Sequence, residues 1–135
     1  MMDTKDIQRV DWDITIAQSE GGVSFFENMI VRTLLGVNAF FCLVSFGLLG
    51  YFIKPTENII VLHYNIYFGV DIQGVWWQVF ILPIAGILFL IGHTFFARRF
   101  YDSSERIAAY LMLFGSGLLS IGIVLASVSI VFINY

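Results

Sequence analysis

His63 and Asp71 are the two side chains of this sequence best suited to act together. An imidazole beside a carboxylate can hold a proton, a metal ion or a polar ligand. They stand eight residues apart, so on a straight strand about 26 Å would separate them at roughly 3.3 Å per residue. They meet only if the chain turns near Gly69 or Asn65. The second histidine, His93, sits in an apolar run, followed by Thr94 and then Arg98 and Arg99. Three runs, 33–53, 75–97 and 107–133, contain no acidic residue. A proton or cation path through them lacks the carboxylate it ordinarily needs. Gly115-Ser-Gly117 lies inside an apolar run, where a phosphate loop has no place. No nucleophile, base and orienting group converge in the sequence. The expectation is a non-enzymatic protein with no metal and no cofactor. Cys42 is the single cysteine and cannot form a disulfide within the chain.

The elements that carry these residues follow from composition. Of 135 residues, 59% are hydrophobic and 13% charged, with a mean hydropathy of +0.85. Soluble domains carry about 25% charged residues, so the chief solvent here is lipid. The net charge of −3 argues against nucleic acid as a partner. Each uncharged run matches the roughly 20 residues that cross a bilayer as a helix. The expected fold is an all-α membrane protein with three transmembrane helices at about 25–53, 75–98 and 103–133. An outer loop, 54–74, is short, extended and strand-like, and an inner loop spans 99–102. A cytoplasmic arm, 1–24, precedes the transmembrane domain, 25–135. That arm and the residues just after it carry Asp3, Asp6, Asp11, Asp13, Glu20 and Glu27 against Lys5 and Arg9, unlike a secretory signal.

Local signals set the expected ends. Ser24-Phe-Phe-Glu27 has capping-box spacing and places the first helix start near Phe25. Asp102-Ser-Ser-Glu105 repeats the pattern before the third helix. Lys54-Pro55 ends the first helix, and Pro83 should bend the second locally. With the amino terminus inside, Lys5, Arg9, Arg32, Arg98, Arg99 and Arg106 are cytoplasmic and Lys54 alone is outside, a positive-inside bias. Tyr51, Trp76, Trp77 and Tyr135 then mark one interface, and Phe96, Phe100 and Tyr101 the other. The carboxyl terminus falls at the outer surface. The two histidines fall at opposite membrane faces, about 30 Å apart, and cannot share a metal within one chain.

The loop between the first two helices alternates. Ile60, Leu62, Tyr64, Ile66, Phe68 and Val70 would face one way, and His63, Asn65, Tyr67, Gly69 and Asp71 the other. Period two marks a half-buried strand. A lone strand leaves backbone groups unpaired, so it must fold back as a hairpin, be covered, or accept a strand from another chain. His63, Tyr64, Asn65, Tyr67 and Asp71 are the candidate outer recognition residues. Val10, Trp12, Ile14 and Ile16 alternate similarly in the arm, as a strand or an interfacial tail.

Small and polar residues recur at helical spacing. Asn38, Cys42 and Ser45 share one face of the first helix, and Gln78, Ala85 and Gly92 repeat by seven on the second. Ala108, Gly115, Gly122, Ala126 and Ser129 line the third, beside Ser116, Ser120 and Ser127. Small residues let helix backbones approach in lipid, and polar ones bond across for about 0.6 kcal/mol each. Asn38, Ser45, Gln78, Gly115, Ser116, Ser120, Gly122 and Ala126 are the candidate helix–helix contacts. Two small-residue stripes exceed what a three-helix bundle requires, which leaves a face for a further helix.

The stretch Ile60-Val-Leu-His63-Tyr-Asn65, followed by Gly69 and Asp71, resembles the outer loop of a bacterial membrane family. That family includes the Sdp-type toxin-immunity and signalling proteins, whose loop reads roughly Ile-Pro-x-His-Phe-Asn, then Gly and Asp, after a first membrane helix. It is also similar to small uncharacterised three-helix bacterial membrane proteins with a His-Tyr-Asn loop. Val61 stands where that family has proline, the asparagine-to-glycine gap is one residue longer, and the family's later basic residue is missing. The resemblance implies that the loop lies outside and that His63, Asn65, Gly69 and Asp71 correspond to the family's loop residues. Two functions are expected. The first is an accessory or assembly subunit in the cell membrane, with the bilayer and other membrane subunits, or copies of itself, as partners. The alternative is an extracytoplasmic peptide or small-ligand sensor or immunity protein.

Overall fold

The computed structural model describes residues 23–135, so the alternating segment of the arm lies outside the described residues. In order, the elements are α1 (Met29–Phe52), β1 (Ile60–Asn65), β2 (Gly69–Gly74), a 3₁₀ turn (Trp76–Phe80), α2 (Ile81–Asp102) and α3 (Arg106–Asn134). Three helical segments of 24, 27 and 29 residues are long and apolar enough to cross a membrane, the second being the 3₁₀ turn joined to α2. Phe40, Leu43, Leu88, Phe95, Leu118 and Leu125 lie exposed along them. In water such a surface would be strongly disfavoured, and in lipid it is solvated. The fold is that of a multi-pass membrane protein with one small β-hairpin.

α3 is the central rod. It packs along both α1 and α2, which touch each other far less. The α1 residues buried in this way are Val31, Asn38, Cys42, Ser45 and Leu49. On α3 they include Ala109, Leu113, Ser116, Ser120 and Ser127. Steps of three, four and seven keep one side of each helix facing the other. Apolar clusters close both ends. Phe25, Val31, Ala97, Tyr101, Ala109 and Leu113 pack at the end rich in arginine. Leu49, Ile53, Ile60, Val79, Ile130 and Val131 pack beneath the hairpin.

Several helix ends differ from the sequence expectation. Ser24 and Glu27 form half of a capping box: the Ser24 N–H donates to Glu27 Oε2 at 3.4 Å. They close a turn, and α1 starts four residues after Phe25. Its cap is Asn28, whose Oδ1 accepts from the N–H groups of Ile30 and Val31 at 2.9 and 3.3 Å. The same amide donates to the Tyr101 and Tyr110 hydroxyls and so ties α1 to both other helices.

Asp102-Ser-Ser-Glu105 is not an N-cap. α2 continues through Asp102, four residues beyond the expected end, and Glu105 precedes α3 with no side-chain cap. The connection instead terminates α2. The Glu105 N–H donates to the Phe100 carbonyl at 2.9 Å, and the Ser104 N–H to that of Tyr101 at 3.1 Å, with Ser104 at φ +67°. This is the Schellman pattern of a helix carboxyl end.

Pro83 is the third residue of α2, two residues after 3₁₀ geometry gives way to α at Ile81. Its missing N–H therefore falls beside the change of helix type within the segment that begins at Trp76.

Candidate functional site at the hairpin end

The alternating segment folds back on itself. β1 pairs antiparallel with β2 from Ile60 opposite Gly74 to Asn65 opposite Gly69. The expected single strand through Asp71 therefore ends at Asn65, and Ile66, Tyr67 and Phe68 make the turn. Asn65 causes the break from one side: its Oδ1 accepts the Tyr67 N–H at 2.8 Å. Gly69 causes it from the other, at φ +78°, a backbone region that glycine enters without a Cβ clash. Irregularities leave Leu62 and Asp71 without direct partners in the register.

That turn brings His63 and Asp71 together. His63 Nδ1 lies 2.7 Å from Asp71 Oδ1, with the side chains 58% and 39% exposed. A carboxylate only accepts, so Nδ1–H donates. The hydrogen bond from His63 holds the Asp71 carboxyl below its ordinary value. Tyr64 is exposed on the same strand, and Tyr67 is exposed in the turn at the tip.

Below the hairpin lies an open cleft of about 700 Å³ between α2 and α3. Leu82, Ala85, Ala126, Ile130 and Ile133 form its helical walls, while His63, Tyr64, Gln73 and Gln78 stand at the hairpin side. Gln78 shapes this corner. Its Oε1 accepts the Val75 N–H at 3.0 Å, capping the 3₁₀ turn. Gly74 makes room for it, because a Cβ there would overlap the Gln78 amide and lie 2.7 Å from Leu62 Cδ1.

The hairpin is fastened to the bundle by Asn134, which sequence reading passed over. Its Oδ1 accepts the Val61 N–H at 2.8 Å and its Nδ2 donates to the Val61 carbonyl at 2.7 Å. One side-chain amide thus imitates a neighbouring strand on the β1 edge. A lone amide near the end of an apolar run was the available signal, since such a group in lipid needs a partner.

The helix-contact candidates divide. Asn38 Nδ2 donates to the Leu34 and Leu113 carbonyls, and its Oδ1 accepts from Ser120. Ser45 and Ser127 share a buried hydrogen bond, and Ser116 is buried in the same seam. Gly115 and Gly122 make no close contact within the bundle: a Cβ on either would meet nothing within 4 Å. The α3 stripe that packs against α1 is the serine stripe, because hydroxyls and an amide find hydrogen-bond partners there that lipid lacks. Ala126 faces the cleft and Gln78 caps rather than bridging helices. A close approach between helices instead involves Gly86, where a Cβ would lie 2.8 Å from Ile123 Cδ1 and 3.6 Å from Cys42 Sγ.

His93 Nδ1 donates to the Phe89 carbonyl one turn back, at 2.8 Å. Among the described residues, no group of three or more His, Cys, Asp or Glu could hold a metal ion. Among the described residues, no hydroxyl or thiol is hydrogen-bonded to the His63–Asp71 pair. No family model, curated protein or solved structure matches the chain.

Proposed function

We propose that the protein is a small, non-enzymatic subunit of the cell membrane that joins a larger membrane assembly through its hairpin. The amino terminus and the arginine-rich end face the cytoplasm, and the hairpin lies outside. The observation that carries this reading is the unequal treatment of the hairpin's two edges. Asn134 covers β1, whereas β2 pairs only with β1 among the described residues. Beyond that open edge, Ile66, Tyr67 and Phe68 are 82%, 88% and 84% exposed. A free edge beside an apolar tip is a surface to which another chain can add a strand. The partner is another membrane subunit or a second copy of this chain.

The test places a photo-crosslinking amino acid at Tyr67, at Ile72 and, as a control, at Phe40 on the exposed face of α1. In intact cells, positions 67 and 72 should each yield one discrete protein adduct and position 40 none. A chain that stays monomeric in mild detergent and yields no adduct at 67 or 72 overturns the proposal.

The sensor or immunity reading rests on the His63–Asp71 pair itself, which joins both strands at an exposed site, and on the loop resemblance. Alanine at His63, Asn65 or Asp71 should then abolish a ligand response at unchanged protein level. Parallel loss of folded protein assigns those residues to structure instead.

A further inference from the structure

The cleft under the hairpin has an order of polarity. Its floor, Leu82 and Ala85 of α2 with Ala126 and Ile130 of α3, is wholly apolar and belongs to helices that are long and apolar enough to cross a membrane. Four of its polar groups, His63, Tyr64, Gln73 and Gln78, stand at the hairpin side, near the helix ends; the fifth, Ser129 of α3, turns its hydroxyl to the Leu125 carbonyl of its own helix. Ala85 and Ala126 are small, and this lets the space open between two otherwise adjoining rods. A volume of about 700 Å³ is that of a ligand pocket rather than a packing defect. Apolar space of this kind does not hold water well, and left empty it forfeits dispersion contacts along its walls. The solvent that bathes these walls supplies chains that fit.

We infer that the cleft binds one acyl chain of a bilayer phospholipid, with the lipid's ester and phosphate oxygens at Tyr64, Gln73 and Gln78. The Tyr64 hydroxyl and the amide N–H groups of the two glutamines are donors, and the lipid's oxygens accept. The chain runs down between Ala85 and Ala126, following the depth order of the bilayer, head at the interface and tail below. The hairpin roofs this lipid, which distinguishes it from lipid that merely surrounds the helices. The inference stands apart from the assembly proposal, because it uses side chains that line the cleft and not the backbone edge of β2 or the tip; Ile72, which also lines the cleft, is read there for protein adducts alone.

The test uses the full chain in phosphatidylcholine nanodiscs that contain a trace of phosphatidylcholine bearing a diazirine in one acyl chain. After irradiation, adducts are mapped by proteolysis and mass spectrometry. They should concentrate on Leu82, Ala85, Ala126 and Ile130 at about fivefold or more the density on Phe40 and Leu43 of α1, equivalent to about 1 kcal/mol of preference. Ala126→Trp should fill the cleft and remove that excess while leaving the α1 adducts unchanged. If Ala126→Trp fails to fold by circular dichroism, Ala85→Leu serves in its place. Equal labelling of cleft and α1, or an excess that survives the filled cleft, overturns the inference. So does a cleft occupied by protein, seen as peptide crosslinks in place of lipid adducts.

Discussion

At the scale of single residues, the His63–Asp71 contact and the Gly74–Gln78 contact make opposite demands on the hairpin. The first is an exposed, charge-assisted hydrogen bond, and the second a steric fit. Because the His63 bond lowers the folded pKa of Asp71 below its unfolded value, the pair's contribution is complete above the ordinary carboxylate range. It is lost as pH falls through the lowered value. Amide protection at Tyr64 and Ile72, taken relative to the intrinsic exchange rate at each pH, should therefore fall below the ordinary carboxylate pKa. In Asp71→Asn that protection should be low and unchanged over the same range; identical protection profiles for the two proteins refute the role. Gly74→Ala forces the Gln78 side chain off the Val75 N–H, costing about 1 kcal/mol for the lost hydrogen bond. Denaturant unfolding in detergent should show that loss, and Gln78→Ala should reproduce most of it. The histidine and the aspartate were legible as a pair, with the turn as a condition. Gly74 was not, because the atom it avoids belongs to a residue whose capping role appears only in three dimensions.

At the scale of elements, the sequence marked the three rods by length and freedom from charge but misread three of their ends. Asp102-Ser-Ser-Glu105 has the spacing of an N-cap, yet the residue in the left-handed conformation is Ser104. A glycine there would have announced a helix carboxyl end. Serine hides that signal and carries a Cβ that the conformation disfavours by roughly 1–2 kcal/mol. Ser104→Gly should therefore raise stability by about 1 kcal/mol, net of the extra freedom glycine brings to the unfolded chain. Thermal unfolding in detergent would register this as a higher midpoint, and an unchanged or lower one would refute the strain. Asn134 governs the other connection. Asn134→Leu keeps the volume and deletes both bonds to Val61, leaving a strand N–H and carbonyl unpaired at a cost of about 1–3 kcal/mol. Amide exchange at Val61 and Ile60 should rise sharply in this variant, while α1 amides keep their protection. If α1 loosens equally, Asn134 supports the bundle and not the hairpin alone.

At the scale of the whole molecule, the two faces of α3 are chemically unlike. Toward α1 it presents serines that meet Asn38 and Ser45 in a satisfied polar seam, and toward α2 it narrows at Gly86 and then opens into the cleft. The small-residue stripes hinted at both faces, but spacing alone could not assign one to a seam and the other to lipid. The one connection at the arginine end is short, whereas the hairpin end carries the longer excursion with Lys54 its single basic residue. Four arginines, Arg32, Arg98, Arg99 and Arg106, crowd the opposite end, where Arg98 and Arg106 lie 5.7 and 5.4 Å from the Phe26 and Tyr101 rings. This distribution supports the proposed orientation, in which the basic end is retained on the cytoplasmic side and the hairpin lies outward. Cys42 is buried, so a new surface thiol can be read against a quiet background. A membrane-impermeant maleimide should label Glu57→Cys in intact cells and Ser103→Cys only after the membrane is opened. The reverse pattern would put the His63–Asp71 site in the cytoplasm. Extracytoplasmic ligands and outer partners would then be lost to it, while the cleft would retain its lipid.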